Sequence, residues 1–159
     1  MNTEIKNKFM SEAVLEALKG IQNNDGGPFG CVIVKDGKIV GRGHNKVTST
    51  CDPTAHAEVI AIRDACKNLN SFQLEGCEIY TSCEPCPMCF GAIYWARPDK
   101  VYYGCSQEDA AAIDFDDAFI YKEIELPYEK RSIPFEQMDR DIALEPFKKW
   151  TEKEDKTKY

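Results

Sequence analysis

The sequence predicts an α/β fold in which helices pack on the faces of a β-sheet. Up to Ser106, stretches with apolar residues at helical spacing alternate with short β-branched runs, a pattern typical of strands joined by helical crossovers. A chain of 159 residues, 43% of them hydrophobic, suits one globular domain with a sizeable core. No internal repeat or linker divides the chain, so we predict a single domain over residues 1–159.

The N-terminal part of the chain predicts a helix followed by a β-hairpin. Apolar residues recur at helical spacing from about Asn7 to Lys19, and Gly20 can end this helix. The segment CVIVKDGKIVGRGHN then holds two β-branched runs around Asp36-Gly37, a dipeptide that type I′ hairpin turns favour. The hairpin is the clearest structural prediction from the sequence.

The middle of the chain predicts helix, strand, helix and strand in that order. Pro53 stands at a first-turn position for a helix over about Ala55 to Leu69. The segment CEIYTSC predicts a short strand, PCPMCFGAIYWAR a helix that Pro98 ends, and KVYYGCS a buried strand. Beyond Ser106 the pattern weakens to a short helix, a loop and a charged C-terminal helix or tail.

Charge and the N-terminal composition narrow the classes of partner. The formal net charge is −7, and nucleic-acid binders usually carry clusters of Lys and Arg, so we expect no nucleic acid and a small neutral or cationic substrate. The N-terminus MNTEIKNKFM is polar and predicts neither a signal peptide nor a membrane span. A cytoplasmic location follows, where cysteines stay reduced and metal ligation or free thiols are favoured over disulfides.

Four residues in two segments have the composition of a catalytic zinc site. His56 and Glu58 lie in TAHAE, and Cys86 and Cys89 lie in EPCPMC. Three protein ligands leave the fourth position of zinc open for water, so we predict one zinc ion on His56, Cys86 and Cys89. An iron–sulfur cluster is disfavoured because Ile93 stands where a fourth cysteine would be needed, and a redox pair would leave His56 and Glu58 without a role.

The spacing of His56 and Glu58 makes a structural prediction. Two residues apart on a regular helix point about 200° from each other. They can face one metal only if His56 lies at the helix entry, so we predict that the helix begins within a residue or two of His56. Zinc lowers the pKa of bound water towards about 7, and Glu58 can shuttle the released proton to a leaving nitrogen.

This pattern matches H-x-E…P-C-x-x-C, which is typical of zinc-dependent base deaminases. The segments GGPFG, VIVKDGKIV, DPTAHAEV, YTSCEPCPMCFGAIYWARP, FDDAFIYKEI, IPF and the terminal KY also occur in order. Through them the sequence resembles the cytidine deaminase-like superfamily and, within it, the bacterial guanine deaminases, almost from end to end. The resemblance implies a three-layer α/β/α sandwich around a mixed five-stranded sheet. It also implies hydrolytic deamination of guanine to xanthine and ammonia, by zinc-bound hydroxide attacking C2.

The resemblance further implies roles for residues outside the zinc motif. It places Asn45 and Asp117 against the substrate, and it implies a homodimer with a swapped C-terminal segment, in which Tyr159 helps to close the partner's site. Asp117 suits the N1–H and 2-amino donors of guanine, and Asn45 suits the O6 or N7 acceptors. Phe29 could stack on the ring, and Trp95 is first a packing residue and second a cavity wall.

Several non-functional interpretations and alternative functions stay open. His44 is expected in a solvated loop, and the cysteines other than Cys86 and Cys89 are expected to be buried thiols. Deamination of cytosine or of adenosine in tRNA shares the zinc motif, although the missing basic stripe argues against RNA. A zinc-stabilised interaction module without catalysis is a further alternative, but it would have little use for Glu58.

Overall fold

The computed structural model describes residues 3–159 and divides them into two compact units, the first ending at Ala118 and the second spanning Phe119–Tyr159. The strands of the first unit are β1 (Gly30–Lys35), β2 (Lys38–His44), β3 (Cys77–Cys83) and β4 (Lys100–Cys105). Its helices are α1 (Thr3–Gln22), α2 (Val47–Thr50), α3 (Ala57–Leu69), α4 (Pro87–Ala96) and α5 (Gln107–Ala111). Helix α6 (Ala118–Glu125) leads into the second unit.

The four strands form one mixed sheet in the order β2-β1-β3-β4. Strand β1 pairs antiparallel with β2 and β3, while β3 and β4 run parallel and are joined through α4. The predicted hairpin is confirmed: Lys35 faces Lys38, and the two turn residues Asp36 and Gly37 have φ of 51° and 72°, as a type I′ turn requires.

Helices cover both faces of the sheet. Successive side chains of β1 point to opposite faces, so this strand presents apolar residues on both sides. Val32 and Val34 pack against Phe9 and Ala13 of α1 on one face. Cys31 and Ile33 point to the other face, where the core holds residues of α3 and α4. The predicted three-layer arrangement of helix, sheet and helix is therefore present in the first unit.

Glycines on β2 bring α3 close to the sheet and so place the start of that helix. A Cβ atom on Gly41 would lie 2.6 Å from the Ala61 oxygen, and one on Gly43 would lie 2.6 Å from the Ala61 nitrogen. Real Cβ contacts are longer than this, so glycine permits an approach that no other residue would allow. Helix α3 thus lies directly on the β2 backbone.

Two details of the predicted sheet are wrong. The described residues contain four strands and not five, because Ser106 and Asp109 form a capping box that starts a helix directly after β4. Strand β4 was expected to be buried, but it is the outer strand of the sheet and most of it is exposed, with Tyr103 at 54%. The apolar residues of KVYYGCS therefore predicted a strand correctly, but they wrongly predicted that this strand is buried.

The second unit is built from short helices without a buried core. It contains most of α6, a 3-10 turn at Tyr128–Lys130, α7 (Arg140–Ala143) and α8 (Glu145–Glu152). The Arg131 guanidinium stacks on the rings of Tyr128 and Phe135 and donates to the carbonyl oxygens of Leu126 and Ile124. No side chain of its helices is buried. The single-domain prediction for residues 1–159 stays a prediction. In the part of the chain described, no helix has the length and apolar character to cross a membrane.

Candidate active site

The metal-binding residues predicted from the sequence come together at the starts of two helices. His56 is the N-cap of α3, with extended backbone angles φ −72° and ψ 156°, and the prediction that the helix begins within a residue or two of His56 is confirmed. Because His56 precedes the first regular turn, its ring and the Glu58 carboxylate can both face the same side. Glu58 lies in the first turn of α3 and is only 6% exposed.

Cys86 and Cys89 reach the same point from α4. Cys86 is the N-cap of α4, which begins at Pro87, and Cys89 lies in the first turn. The distance from His56 Nδ1 is 3.4 Å to Cys86 Sγ and 3.6 Å to Cys89 Sγ. The three side chains form a group whose ligand atoms all lie within 4.8 Å of one another. Two segments distant in sequence thus contribute to one cluster.

These distances fit a tetrahedral zinc ion. Zn–S bonds of about 2.3 Å and a Zn–N bond of about 2.0 Å at a tetrahedral angle separate sulfur and nitrogen by about 3.5 Å. One imidazole and two sulfurs are also a set of ligands that zinc accepts, with a fourth position left for water. We conclude that the chemistry and the spacing of His56, Cys86 and Cys89 fit a zinc ion.

The side chains of the cluster shift one another's pKa values. A hydrogen bond from Cys89, together with the adjacent His56 ring, lowers the pKa of Cys86 to about 4. The same contact with Cys86, together with burial, raises the pKa of Cys89, and contact with Cys86 raises the pKa of His56. A bound metal cation replaces such protons, because coordinating thiols lose them outright.

Glu58 lies beside the cluster without belonging to it. Its Oε2 accepts from Cys89 Sγ at 3.3 Å, and its Oε1 accepts from Thr81 Oγ1 at 3.3 Å. Burial raises the pKa of this carboxyl group, which moves it towards the range in which a carboxylate can exchange protons near neutrality. Glu58 is therefore a buried, oriented acid–base group next to the predicted metal.

Thr81 is a contact that the sequence reasoning missed. It lies in β3 and is 1% exposed, with its hydroxyl group against Glu58. Period-two alternation along CEIYTSC puts Thr81 on the same face as Ile79 and Cys83. A polar residue among apolar ones on that face is a signal that could have indicated a buried hydrogen bond.

A cavity of about 440 Å³ opens at the cluster, within the range usual for small-molecule sites. Its lining comprises Gly27, Phe29, Asn45, Val47, Thr48, Pro53, His56, Glu58, Cys83, Glu84, Cys86, Ala110, Asp114, Phe115, Asp116 and Asp117. Five of these are carboxylates, and among the described residues none that line the cavity is Lys or Arg. The cavity therefore suits a small ligand that donates hydrogen bonds and carries no phosphate.

Asn45 presents one end of its amide to this cavity. The residue is 4% exposed, and its Oδ1 accepts from the backbone N–H groups of Gly27 at 3.2 Å and Val47 at 3.1 Å. Two donors at one oxygen fix the orientation of the amide. The Nδ2 group is the part left to donate to a molecule in the cavity.

Aromatic and acidic side chains form the remaining walls. Phe29 lines the cavity and meets Phe115 edge to face, with ring centroids 4.9 Å apart. Sequence reasoning missed Phe115, although it begins the FDDAFIYKEI segment. Asp116 Oδ1 accepts from the Ala118 N–H at 2.9 Å, as a helix-capping residue does. Burial, followed by the nearby Cys86, raises the pKa of Asp117, which lines the same cavity.

The remaining predicted residues lie elsewhere. Trp95 is in α4, is 67% exposed and does not line this cavity. Tyr159 belongs to the second unit. The roles of both residues stay predictions.

Other expectations about His44 and the remaining cysteines need correction. His44 was expected in a solvated loop, but it ends β2 and is 5% exposed. Cys31, Cys77 and Cys83 are buried as expected, whereas Cys66 is only half-buried. Cys51 and Cys105 are exposed, because one follows the short helix α2 and the other ends the outer strand β4.

Comparisons with known proteins agree with this geometry. The family model for the cytidine and deoxycytidylate deaminase zinc-binding region matches residues 3–105. Guanine deaminase from Bacillus subtilis is 56% identical over 151 residues, which cover 95% of this chain and 97% of that protein. Its X-ray structure superposes with a TM-score of 0.94 and covers 100% of this chain and 99% of that one.

More distant relatives match a smaller share of the chain. A tRNA-specific adenosine deaminase from Aquifex aeolicus is 44% identical over 98 residues, which cover 62% of this chain and 64% of that protein. A guanine deaminase structure from Nitrosomonas europaea is 30% identical, with a TM-score of 0.65, over 69% of this chain and 63% of that one. With the match of the zinc-binding model, the chain belongs to the zinc-binding cytidine and deoxycytidylate deaminase family.

Proposed function

We propose that this chain is a zinc-dependent guanine deaminase that converts guanine and water to xanthine and ammonia. The observation that carries the proposal is the buried Glu58 carboxylate, held 3.3 Å from Cys89 and 3.3 Å from Thr81 without being one of the three metal-binding residues. A purely structural zinc site has no need for such a group. The end-to-end similarity to a guanine deaminase selects guanine among the bases.

The walls of the cavity can bind a flat purine and direct its C2 carbon towards the metal-binding residues. Phe29 offers an aromatic face for the ring. Asp117 is an acceptor for the N1–H and 2-amino donors, and the Nδ2 group of Asn45 is a donor for O6 or N7. Together these contacts distinguish guanine by its pattern of donors and acceptors.

Glu58 is the group that moves protons in this proposal. Zinc, when bound, supplies a water of lowered pKa at the cluster. Glu58 accepts a proton from that water as the water oxygen bonds to C2 of guanine. Glu58 then donates this proton to the 2-amino nitrogen. The bond between C2 and the 2-amino nitrogen then breaks and ammonia leaves. The remaining hydroxyl proton moves to N3, and the oxygen stays on C2 as the carbonyl of xanthine. The hydrogen bond from Thr81 keeps the Glu58 carboxylate directed towards the metal-binding cluster.

We further propose a cytoplasmic homodimer in which the C-terminal segment is exchanged, so that Tyr159 helps to close the partner's site. The lack of a buried core in the second unit supports this proposal. Its exposed large apolar side chains include Ile133 at 72%, Met138 at 78% and Phe147 at 70%. A segment that buries so little of its own apolar surface gains stability by covering another surface.

Deamination of adenosine in tRNA is the second candidate, because a tRNA-specific adenosine deaminase matches part of this chain. The match covers 62% of this chain, whereas the similarity to a guanine deaminase covers 95%. An RNA substrate also needs cationic groups along its phosphates, and the lining of the cavity is acidic. Both observations favour the free base.

Ammonia release from a panel of substrates tests the proposal. Zinc-loaded protein is incubated with guanine, cytosine, adenine and a tRNA stem-loop, and bound zinc is measured on the same sample. We expect release from guanine with one zinc per chain. Zinc-loaded protein that releases no ammonia from guanine would contradict the proposal, and release from the stem-loop alone would favour the second candidate.

A further inference from the structure

His44 connects helix α1 to a loop of the substrate cavity through two carboxylates. Its Nδ1 lies 3.3 Å from Glu16 Oε2, and its Nε2 lies 2.9 Å from Asp25 Oδ2. The ring is covered by α1, since a Cβ atom on Gly20 would lie 2.9 Å from His44 Cδ2. A ring held at both nitrogens inside the protein has one orientation available to it.

Asp25 connects His44 to the wall of the cavity by further hydrogen bonds. Its backbone N–H donates to the Gly20 oxygen at 2.9 Å, and its carbonyl oxygen accepts from Ser49 N at 3.1 Å and Thr48 Oγ1 at 2.8 Å. Asp25 is therefore bonded to α1, to His44 and to the segment after Asn45. The residues that follow it, Gly26 and Gly27, start from a fixed position.

Gly26 and Gly27 in turn fix the Asn45 amide. The Gly27 N–H donates to Asn45 Oδ1 at 3.2 Å. A Cβ atom on Gly26 would collide with the same oxygen, so the backbone lies directly against the amide. Asn45 follows His44 in the chain, and its own N–H donates to the Phe29 oxygen at 3.0 Å. The orientation of Asn45 thus depends on a loop that His44 and Asp25 hold in place.

We propose that His44, through its bond to Asp25, is a positioning residue for substrate binding: it keeps the Asp25–Gly27 loop against Asn45, so that the amide presents Nδ2 to the base. This inference rests on the proposed function. His44 itself touches no substrate. Its effect is on how well the base is bound, and not on the proton transfers at Glu58.

Steady-state kinetics of two variants from the same strand test the inference. In His44→Gln the amide can no longer bridge Glu16 and Asp25, and we expect KM for guanine to rise about fivefold, as for the loss of one hydrogen bond, while kcat changes less than about twofold. Arg42→Gln is the matched control, because Arg42 Nη1 contacts Glu16 at 3.5 Å and Glu12 at 2.8 Å but makes no contact with Asp25. Its KM should stay unchanged.

A double-mutant cycle shows whether His44 acts through Asn45. In the Asn45→Ala background, His44→Gln should raise KM no further, because the amide that it orients is gone. Additive effects would overturn the inference. A second result would also overturn the inference: KM of His44→Gln stays at the wild-type value, and its kcat falls only as much as the fraction of folded, zinc-loaded protein falls.

Variants of Asp25 keep the inference testable if His44→Gln does not fold. Asp25→Asn retains an oxygen that accepts from His44 and should keep KM near the wild-type value, whereas Asp25→Ala should raise it as His44→Gln does. Equal KM values in both Asp25 variants would overturn the inference. Failure of the wild type to deaminate guanine would instead overturn the proposed function, so the two failures are distinguishable.

Discussion

At the scale of single residues, the site separates metal binding from acid–base chemistry by small differences in position. His56 and Glu58 are two residues apart, and only the extended backbone at His56 lets both face the same cluster. Cys83 and Cys86 are three apart, and only Cys86 lies at the start of the helix. Residue type alone would therefore not distinguish these roles.

Replacing Glu58 by glutamine should remove most turnover and leave zinc binding unchanged. The amide keeps the shape of the side chain but cannot accept and return a proton, and such groups typically contribute about 10² to 10⁴ in rate. Bound zinc and kcat are measured on the same preparation. Glu84→Gln, which neutralises another carboxylate of the same cavity, should lose far less. A Glu58→Gln protein with near-wild-type kcat would assign the shuttle to a different group.

Replacing Asp117 by asparagine should weaken guanine binding and spare the metal. The amide would place its own donors against those of the base, and a mismatch of buried polar groups costs roughly 1–3 kcal/mol, or about ten- to hundredfold in kcat/KM. Asp116→Asn is the control, because an amide oxygen can still accept from the Ala118 N–H, now 2.9 Å from Asp116 Oδ1. If both variants keep the wild-type kcat/KM for guanine, Asp117 has no contact with the base.

At the scale of helices and strands, the position of the metal-binding residues depends on how closely α3 lies on β2. Gly41 and Gly43 face that helix on successive positions of one side of the strand. The sequence indicated a hairpin and a helix but no reason for glycine in GRGHN, because close packing involves residues far apart in the chain. The start of α3 at His56 was predictable, since the chemistry of the site required it.

Replacing Gly43 by alanine should destabilise the protein and lower its zinc affinity together. The added Cβ atom would lie 2.6 Å from the Ala61 nitrogen, and relieving such overpacking typically costs about 1–3 kcal/mol. Denaturant unfolding of the zinc-loaded protein and a zinc titration measure the two effects. Gly91→Ala is the control, since its added Cβ would meet no described atom within 4 Å apart from the neighbouring backbone of α4, and alanine there should stabilise α4 by up to about 1 kcal/mol. Equal stability of both variants would mean that α3 does not need the glycine.

At the scale of the whole molecule, the sequence predicted the layered first unit and the metal cluster better than the edge of the sheet. The β-branched runs around Asp36-Gly37 and the HAE and PCPMC spacings are local signals, and both were interpreted correctly. The exposure of β4 and the absence of a fifth strand from the described residues depend on what lies beside the sheet, which the local pattern of KVYYGCS does not encode. The buried state of His44 was missed for the same reason, because its partners Glu16 and Asp25 are distant in sequence.

The exchange of C-terminal segments predicts that two defective chains can restore each other. A chain without Tyr159 keeps Glu58, and a Glu58→Gln chain keeps Tyr159, so a mixed dimer should contain one complete site if Tyr159 acts on the partner. We expect each variant alone to have little activity and a refolded mixture to regain part of it. Light scattering should give the mass of two chains throughout. A mixture no more active than its parts would contradict the exchange, and a fully active chain without Tyr159 would show that this residue closes nothing.

The N-cap positions of His56 and Cys86 also bear on how the protein opens locally. A metal held there ties the first turns of two helices that leave the site separately, and helix ends are otherwise the first places to fray. Amide hydrogen exchange should therefore speed up at the beginnings of α3 and α4 together when a chelator removes zinc, while the sheet-covering α1 retains its protection. The metal then stabilises the backbone at the starts of α3 and α4 in addition to its part in the chemistry.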